Sequence, residues 1–202
     1  MSRSIGGLRF GPIPQSVVDA LLVDARASAP TYGPVGTTLS PRAGAHEATL
    51  VVGHGDAAFA AAVDALRTWV PQRGIGADVV PADEAVEPGA TVLIVLRRGP
   101  IRVVAPDRVV AVIDERRRFA FAYGTLPGHP ERGEESFSVD HRDDDAVLVT
   151  IRVDAGPGTC PARLVGPVVR RLQHAALRGY LRAIAGHVRR TTPEEHHDEP
   201  TL

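Results

Sequence analysis

Residues 91–125 read TVLIVLRRGPIRVVAPDRVVAVIDERRRFAFAYGT. Short apolar runs alternate here with the turn signals Arg98-Gly99-Pro100 and Pro106-Asp107. Their period is two rather than 3.6, which predicts strands at Thr91–Leu96, Ile101–Ala105, Arg108–Ile113 and Phe119–Thr125. Connections this short cannot hold a crossover helix, so neighbouring strands pair antiparallel. Outward from this stretch the pattern continues at Ala77–Val80, Glu135–His141 and Ala146–Val153, with turns at Glu87-Pro88-Gly89 and 142–145. In the last strand Val147, Val149, Ile151 and Val153 share one face, while Thr150, Arg152 and Asp154 share the other. That is a sheet with one face buried and one wet.

The flanking segments have helical spacing. Residues 13–27 carry apolar positions for a short amphipathic helix, and 30–44 form a loop dense in Pro, Gly, Thr and Ser. His46–Val52 reads as a strand, with Asp56 as N-cap of a helix from Ala57 to Val70 that Pro71 ends. A long helix begins near Pro161 or Pro167 and ends near Gly186; Val165, Val168, Val169, Leu172, Ala176, Tyr180 and Ala183 form its stripe. Strands in series followed by one long helix predict an α+β fold, a curved antiparallel sheet of six or seven strands wrapped round the C-terminal helix. The gap between a bent sheet and a helix is a natural internal pocket. The expected organisation is an N-terminal extension with a short helix over 1–29, the domain proper over 30–188, and a disordered charged tail over 189–202.

Composition narrows the chemistry. The chain has 202 residues and a formal net charge of -1, so no global field favours nucleic acid or an anionic membrane. Its basic residues are all arginine, which removes Schiff-base, P-loop and Ser-Lys chemistry. Such a composition is read as that of a GC-rich genome. The single cysteine, Cys160, cannot form an internal disulfide, no stretch approaches a membrane span, and Met1–Ile5 lacks the apolar run of a signal peptide. A cytoplasmic location is the expectation. The histidines show no ligand spacing and Gly53-His54-Gly55 leads into no phosphate loop, so neither metal nor cofactor is expected.

The run Phe121-Ala-Tyr-Gly-Thr-Leu-Pro-Gly-His-Pro-Glu-Arg-Gly-Glu-Glu135 resembles the signature of an uncharacterised family, domain of unknown function nineteen-ninety, found in actinobacteria and plants. Tyr32-Gly-Pro-Val-Gly-Thr37, Gly53-x-Gly55 with Phe59, Leu66 and Trp69, Arg108-Val-Val110 and the helix segments Gly166-Pro167 and Arg171-Leu172-Gln173 fit the same pattern. The chain departs from it at Ala120, where the family tends to have Gly, and at 154–157. The family is similar to the START and Bet v 1-like helix-grip superfamily. The resemblance therefore implies a helix-grip fold and a ligand pocket; it does not imply a reaction.

Candidate site residues gather around the hairpin from Tyr123 to Glu135. His129 has the pKa range of a general acid or base, and Glu134 or Glu135 is placed to orient it. In an alternating strand those two glutamates face opposite sides. Tyr123, His129, Glu134 and Glu135 are the catalytic candidates; Tyr32, Trp69, Phe119, Phe121, Tyr123, His129 and Arg171 are the ligand-binding ones. Arg171 belongs to a basic stripe with His174, Arg178 and Arg182. Two functions compete. One is binding of a small apolar or amphipathic molecule in an internal cavity. The other is a cyclase, isomerase or hydrolase using acid–base residues of the hairpin. A purely structural module would instead show a large exposed apolar patch.

Overall fold

The computed structural model describes residues 7–41, 44–158 and 166–192. Eight strands form one antiparallel sheet: β1 (Gly7–Phe10), β2 (His46–His54), β3 (Ala77–Val80), β4 (Thr91–Arg98), β5 (Ile101–Glu115), β6 (Arg118–Thr125), β7 (Glu131–His141) and β8 (Ala146–Pro157). Their spatial order is β2-β8-β7-β6-β5-β4-β3, and β1 pairs with β5. Among the described residues four α-helices accompany it: α1 (Gln15–Arg26), α2 (Gly55–Arg67), α3 (Val70–Gly74) and α4 (Gly166–Thr191). A 3-10 turn spans Thr37–Leu39.

The sheet is a meander from β3 to β8, and β2 returns to lie beside β8. Helices α2 and α3 carry the chain from the β2 edge to the β3 edge, and α4 packs against α2, α3 and β2. The period-two residues explain the inner face. Phe119, Phe121, Phe137, Val139, Val147, Val149 and Ile151 are buried there against Leu66 of α2 and Leu177, Ile184 and Val188 of α4. At roughly 25 cal/mol per Å² of apolar surface, this face is what holds the sheet to its helices. Bulges between Val109 and Ala111 in β5 and between Val51 and Gly53 in β2 bend their strands.

The structure departs from the expected elements in several places. Pro106 and Asp107 do not turn the chain, because Ile101–Glu115 is a single strand. The Pro106 carbonyl accepts from the Leu126 N–H at 3.0 Å. A residue's N–H and C=O point the same way in a strand, so the donor that proline lacks is missing on the Leu126 side, and the ladder to β4 keeps its bonds. Pro71 does not end a helix; it starts α3 in its first turn, after α2 has stopped at Arg67. Between them Trp69 adopts φ 58, a conformation bulky residues rarely hold. Asp56 sits in the first turn of α2 rather than at its cap, which is His54. Finally, α4 runs past its expected end near Gly186 to Thr191.

The N-terminal segment is part of the packing. β1 extends the sheet beside β5, and α1 lays Leu21 and Ala25 on the outer face over Leu93, Val95, Val104 and Leu126. That end of the sheet is therefore covered on both sides. No described helix is long and apolar enough to cross a membrane.

Candidate functional site

The hairpin β6–β7 builds two different sites, one on each face. Alternation sends Glu135 inward and Glu134 outward. On the outer side Glu134 is buried, and its carboxylate accepts four hydrogen bonds. They come from the Tyr32 hydroxyl at 2.8 Å, the Gly36 N–H at 2.6 Å, the Thr38 N–H at 2.8 Å and the Thr38 hydroxyl at 2.6 Å. Ser136 adds a bond to the Thr38 carbonyl at 2.8 Å. The Tyr32 ring lies over Gly124, where any Cβ would collide with it. Gly36 takes φ 77, so the loop needs glycine at that turn. Burial first, then the Glu134 carboxylate, pushes the Tyr32 phenol well above its usual range. Glu134 is thus a clasp that fixes residues 32–38 to the sheet. A shallow cleft of about 260 Å³ borders it, lined by Tyr32, Pro34, Thr37, Arg132 and Asp154 among others.

On the inner face Tyr123 pairs across the sheet with Glu135 and with Val109. Its hydroxyl donates a short hydrogen bond to Glu135 Oε2 and accepts one from Gln72 Nε2 of α3 at 3.4 Å. Rings enclose this pair. Trp69 lies 6.1 Å from Tyr123 and 5.6 Å from Phe121, Phe137 lies 5.9 Å from Tyr123, and Tyr180 of α4 meets Phe137 at 5.4 Å. These rings touch, so side chains occupy the space beside Tyr123. The Trp69 indole N–H is spent on the Glu84 carbonyl at 2.8 Å.

Burial dominates the electrostatics here. It raises the Glu135 carboxyl from 4.5 to about 8, against the lowering effect of the Tyr123 hydrogen bond. It also raises the Tyr123 and Tyr180 phenols, with the Glu135 carboxylate as second cause. Asp107, on the inner face between Ala105 and Val109, is 1% exposed, and neither of its oxygens has a hydrogen-bond partner among the described residues. Burial and then the Glu135 and Glu131 carboxylates push it well up. His129 Nε2 approaches Asp107 Oδ2 at 3.6 Å, while its Nδ1 accepts the Glu131 N–H at 2.8 Å. Burial lowers that imidazole to about 4 and keeps it neutral near pH 7. Among the described residues no group of His, Cys, Asp or Glu is placed to hold a metal ion.

The predicted residues therefore separate. Trp69, Phe121, Tyr123 and Glu135 meet on the inner face, with His129 beside Asp107. Phe119 lies further along β6, buried under the Arg67 guanidinium at 4.7 Å. Tyr32 and Glu134 are on the opposite face. The Arg171 side chain lies outside the described residues, as does Cys160. Sequence reasoning missed Gln72, Tyr180 as a polar group, and Asp107. A carboxylate between Val-rich halves of one strand was the available signal, and reading Pro106-Asp107 as a turn concealed it.

An open antiparallel sheet packed against one long helix, with a polar cluster between them, is a helix-grip arrangement. The fold is similar to the crystal structure of hypothetical protein jhp0584 from Helicobacter pylori, with a TM-score of 0.53 at 11% identity over 71% of this chain and 86% of that one. The crystal structure of Ara h 8.0201 aligns with a TM-score of 0.44 at 18% identity over 73% of this chain and 99% of that one. A UPF0548 protein of Deinococcus radiodurans is 31% identical over 197 residues, 86% of this chain and 94% of that one. The chain belongs to the family defined by the domain of unknown function DUF1990, whose pattern matches residues 31–183.

Proposed function

We propose that the chain binds a small apolar or amphipathic molecule between the inner face of the sheet and α4, with the polar end of the ligand at Tyr123, Glu135 and Gln72. The carrying observation is the set of open valences in the interior. Gln72 is fully buried with Oε1 unpartnered among the described residues, and both oxygens of buried Asp107 are unpartnered too. An unpaired buried polar group costs about 1–3 kcal/mol, so a core selected for stability alone would carry apolar side chains here. Apolar walls with a few converging polar groups are what a small-molecule site requires. The helix side yields on binding, because β6 and β7 are hydrogen-bonded to strands on both flanks whereas Tyr180 and Gln72 are held by side-chain contacts.

A second reading has its own support. A carboxyl raised to about 8 and hydrogen-bonded to a phenol is poised for proton transfer near neutral pH. In a cyclase, isomerase or hydrolase of this design Glu135 is the acid or base and Tyr123 its partner; Glu134 faces away and takes no part. Native mass spectrometry of protein purified from its source, with a thermal-shift screen of hydrophobic metabolites, tests the binding reading. Retained mass, or a shift lost in Glu135→Gln, supports it. An unliganded protein that no metabolite shifts removes it.

A further inference from the structure

Among the described residues the interior holds more acid than base. Val109, Tyr123 and Glu135 form one cross-strand row, and Asp107 lies two residues along β5 on the same face. Glu135 therefore faces Tyr123 directly across the sheet, and Asp107 lies diagonal to it on the other side. Among the described residues the only ion-pair partner of Asp107 is the His129 ring at 3.6 Å, which burial keeps neutral. The chain has no lysine to supply a buried ammonium. Protonating Asp107 removes its charge and still leaves a hydroxyl and a carbonyl oxygen without partners. The surrounding side chains are the aromatic rings of Trp69, Phe121, Tyr123, Phe137 and Tyr180, a ring type that attracts cations.

We propose that the ligand is an organic amine, its ammonium group seated between Asp107 and Glu135 against the Tyr123 ring. The inference rests on the inner face being the binding site. An ammonium supplies the donors that the Asp107 oxygens lack, and charge-assisted bonds in a dry site are the strong kind. A fatty acid or other carboxylate ligand brings no donor for the Asp107 oxygens, and its charge is opposed wherever Asp107 or Glu135 is ionised, so the site selects by sign of charge.

Calorimetric titration and thermal shift of the full chain with hexylamine, decylamine and benzylamine test this, each beside the alcohol and the carboxylic acid of the same carbon skeleton. The amines are expected to bind about tenfold or more tighter than the alcohols, and the acids more weakly than either. Asp107→Asn is expected to cut the preference for amine over alcohol about tenfold while leaving alcohol binding in place. Glu135→Gln is a second variant should Asp107→Asn not fold. Alcohols or acids binding as tightly as amines would overturn the amine assignment and leave the binding site standing. Should no compound of any class bind, the amine assignment falls, and native mass spectrometry decides separately on the binding site.

Discussion

Glu134 and Glu135 are adjacent in β7 and do opposite things: one binds the Tyr32–Thr38 loop to the outer face, the other faces Tyr123 inside the protein. Both lie in the same short signature, and only the strand's alternation separates a structural carboxylate from a candidate functional one.

Glu134→Ala leaves two backbone N–H groups and two hydroxyls without their acceptor. We expect a loss of about 3 kcal/mol or more in denaturant unfolding. Hydrogen exchange should show the Gly36 and Thr38 amides losing protection before the strands do. An unchanged Thr38 amide would contradict the clasp.

Gly124→Ala places a methyl group into the Tyr32 ring. The single variant should be destabilised by about 2 kcal/mol or more, since Tyr32 must leave Glu134 to make room. Once Tyr32→Ala has vacated the space, the same change should cost little. A double-mutant cycle with strictly additive effects would show that the ring does not lie over this residue.

Arg108 ties α1 to the sheet. Its guanidinium donates to the Ala25, Arg26 and Ser28 carbonyls at 2.9, 3.0 and 2.7 Å, and its Nε to the Thr91 hydroxyl at 3.1 Å. These carbonyls lie at or just beyond the end of α1, where the Ala25 carbonyl also accepts from the Ser28 N–H at 3.1 Å, and the cation complements the helix dipole. Arg108→Lys keeps the charge and loses the fork. Limited proteolysis should then cut within 7–29 faster than in the parent, with a loss of about 1–3 kcal/mol in global stability.

The titration of Glu135 sets a pH dependence of known sign. Its carboxyl is raised from 4.5 to about 8, so between those values the folded state holds a proton that the unfolded chain releases. This group's contribution therefore falls as pH rises through that window, by up to about 1.4 kcal/mol per unit. Replacing Glu135 by Gln should leave stability at pH 5 little changed and increase it progressively toward pH 8. His129 acts at the acid side: lowered to about 4, it costs stability as pH falls from 6.5 toward 4, a loss that His129→Gln should remove. Urea melts across pH for the parent and the two variants measure both slopes.

Most of the fold was legible in the apolar period. The inward row Phe119, Phe121, Tyr123 and the alternation in β8 fixed which face was buried, and short turns fixed antiparallel order. The exceptions have local causes. β1 was hidden because four residues give too little period to read, and its strand status comes from pairing with β5. Pro71 reads as a stop in any helical run, yet the break two residues earlier at Trp69 turns it into a start. At the site the sequence gathers candidates without sorting them by face. Tyr32 came with the signature and went to the clasp, while Gln72 and Asp107 come from α3 and β5, whose approach to Tyr123 is a tertiary fact.

The central claim is that the Tyr123–Glu135 pair on the inner face binds a ligand. Trp69 is the chain's single tryptophan and lies 6.1 Å from Tyr123, so its emission reports on that place alone. Titrating the ligand recovered from the native protein, or failing that decylamine, should give a saturable change in Trp69 emission that weakens about tenfold or more in Glu135→Gln. Binding that leaves the emission unchanged, or that is equally tight in the variant, would contradict the account.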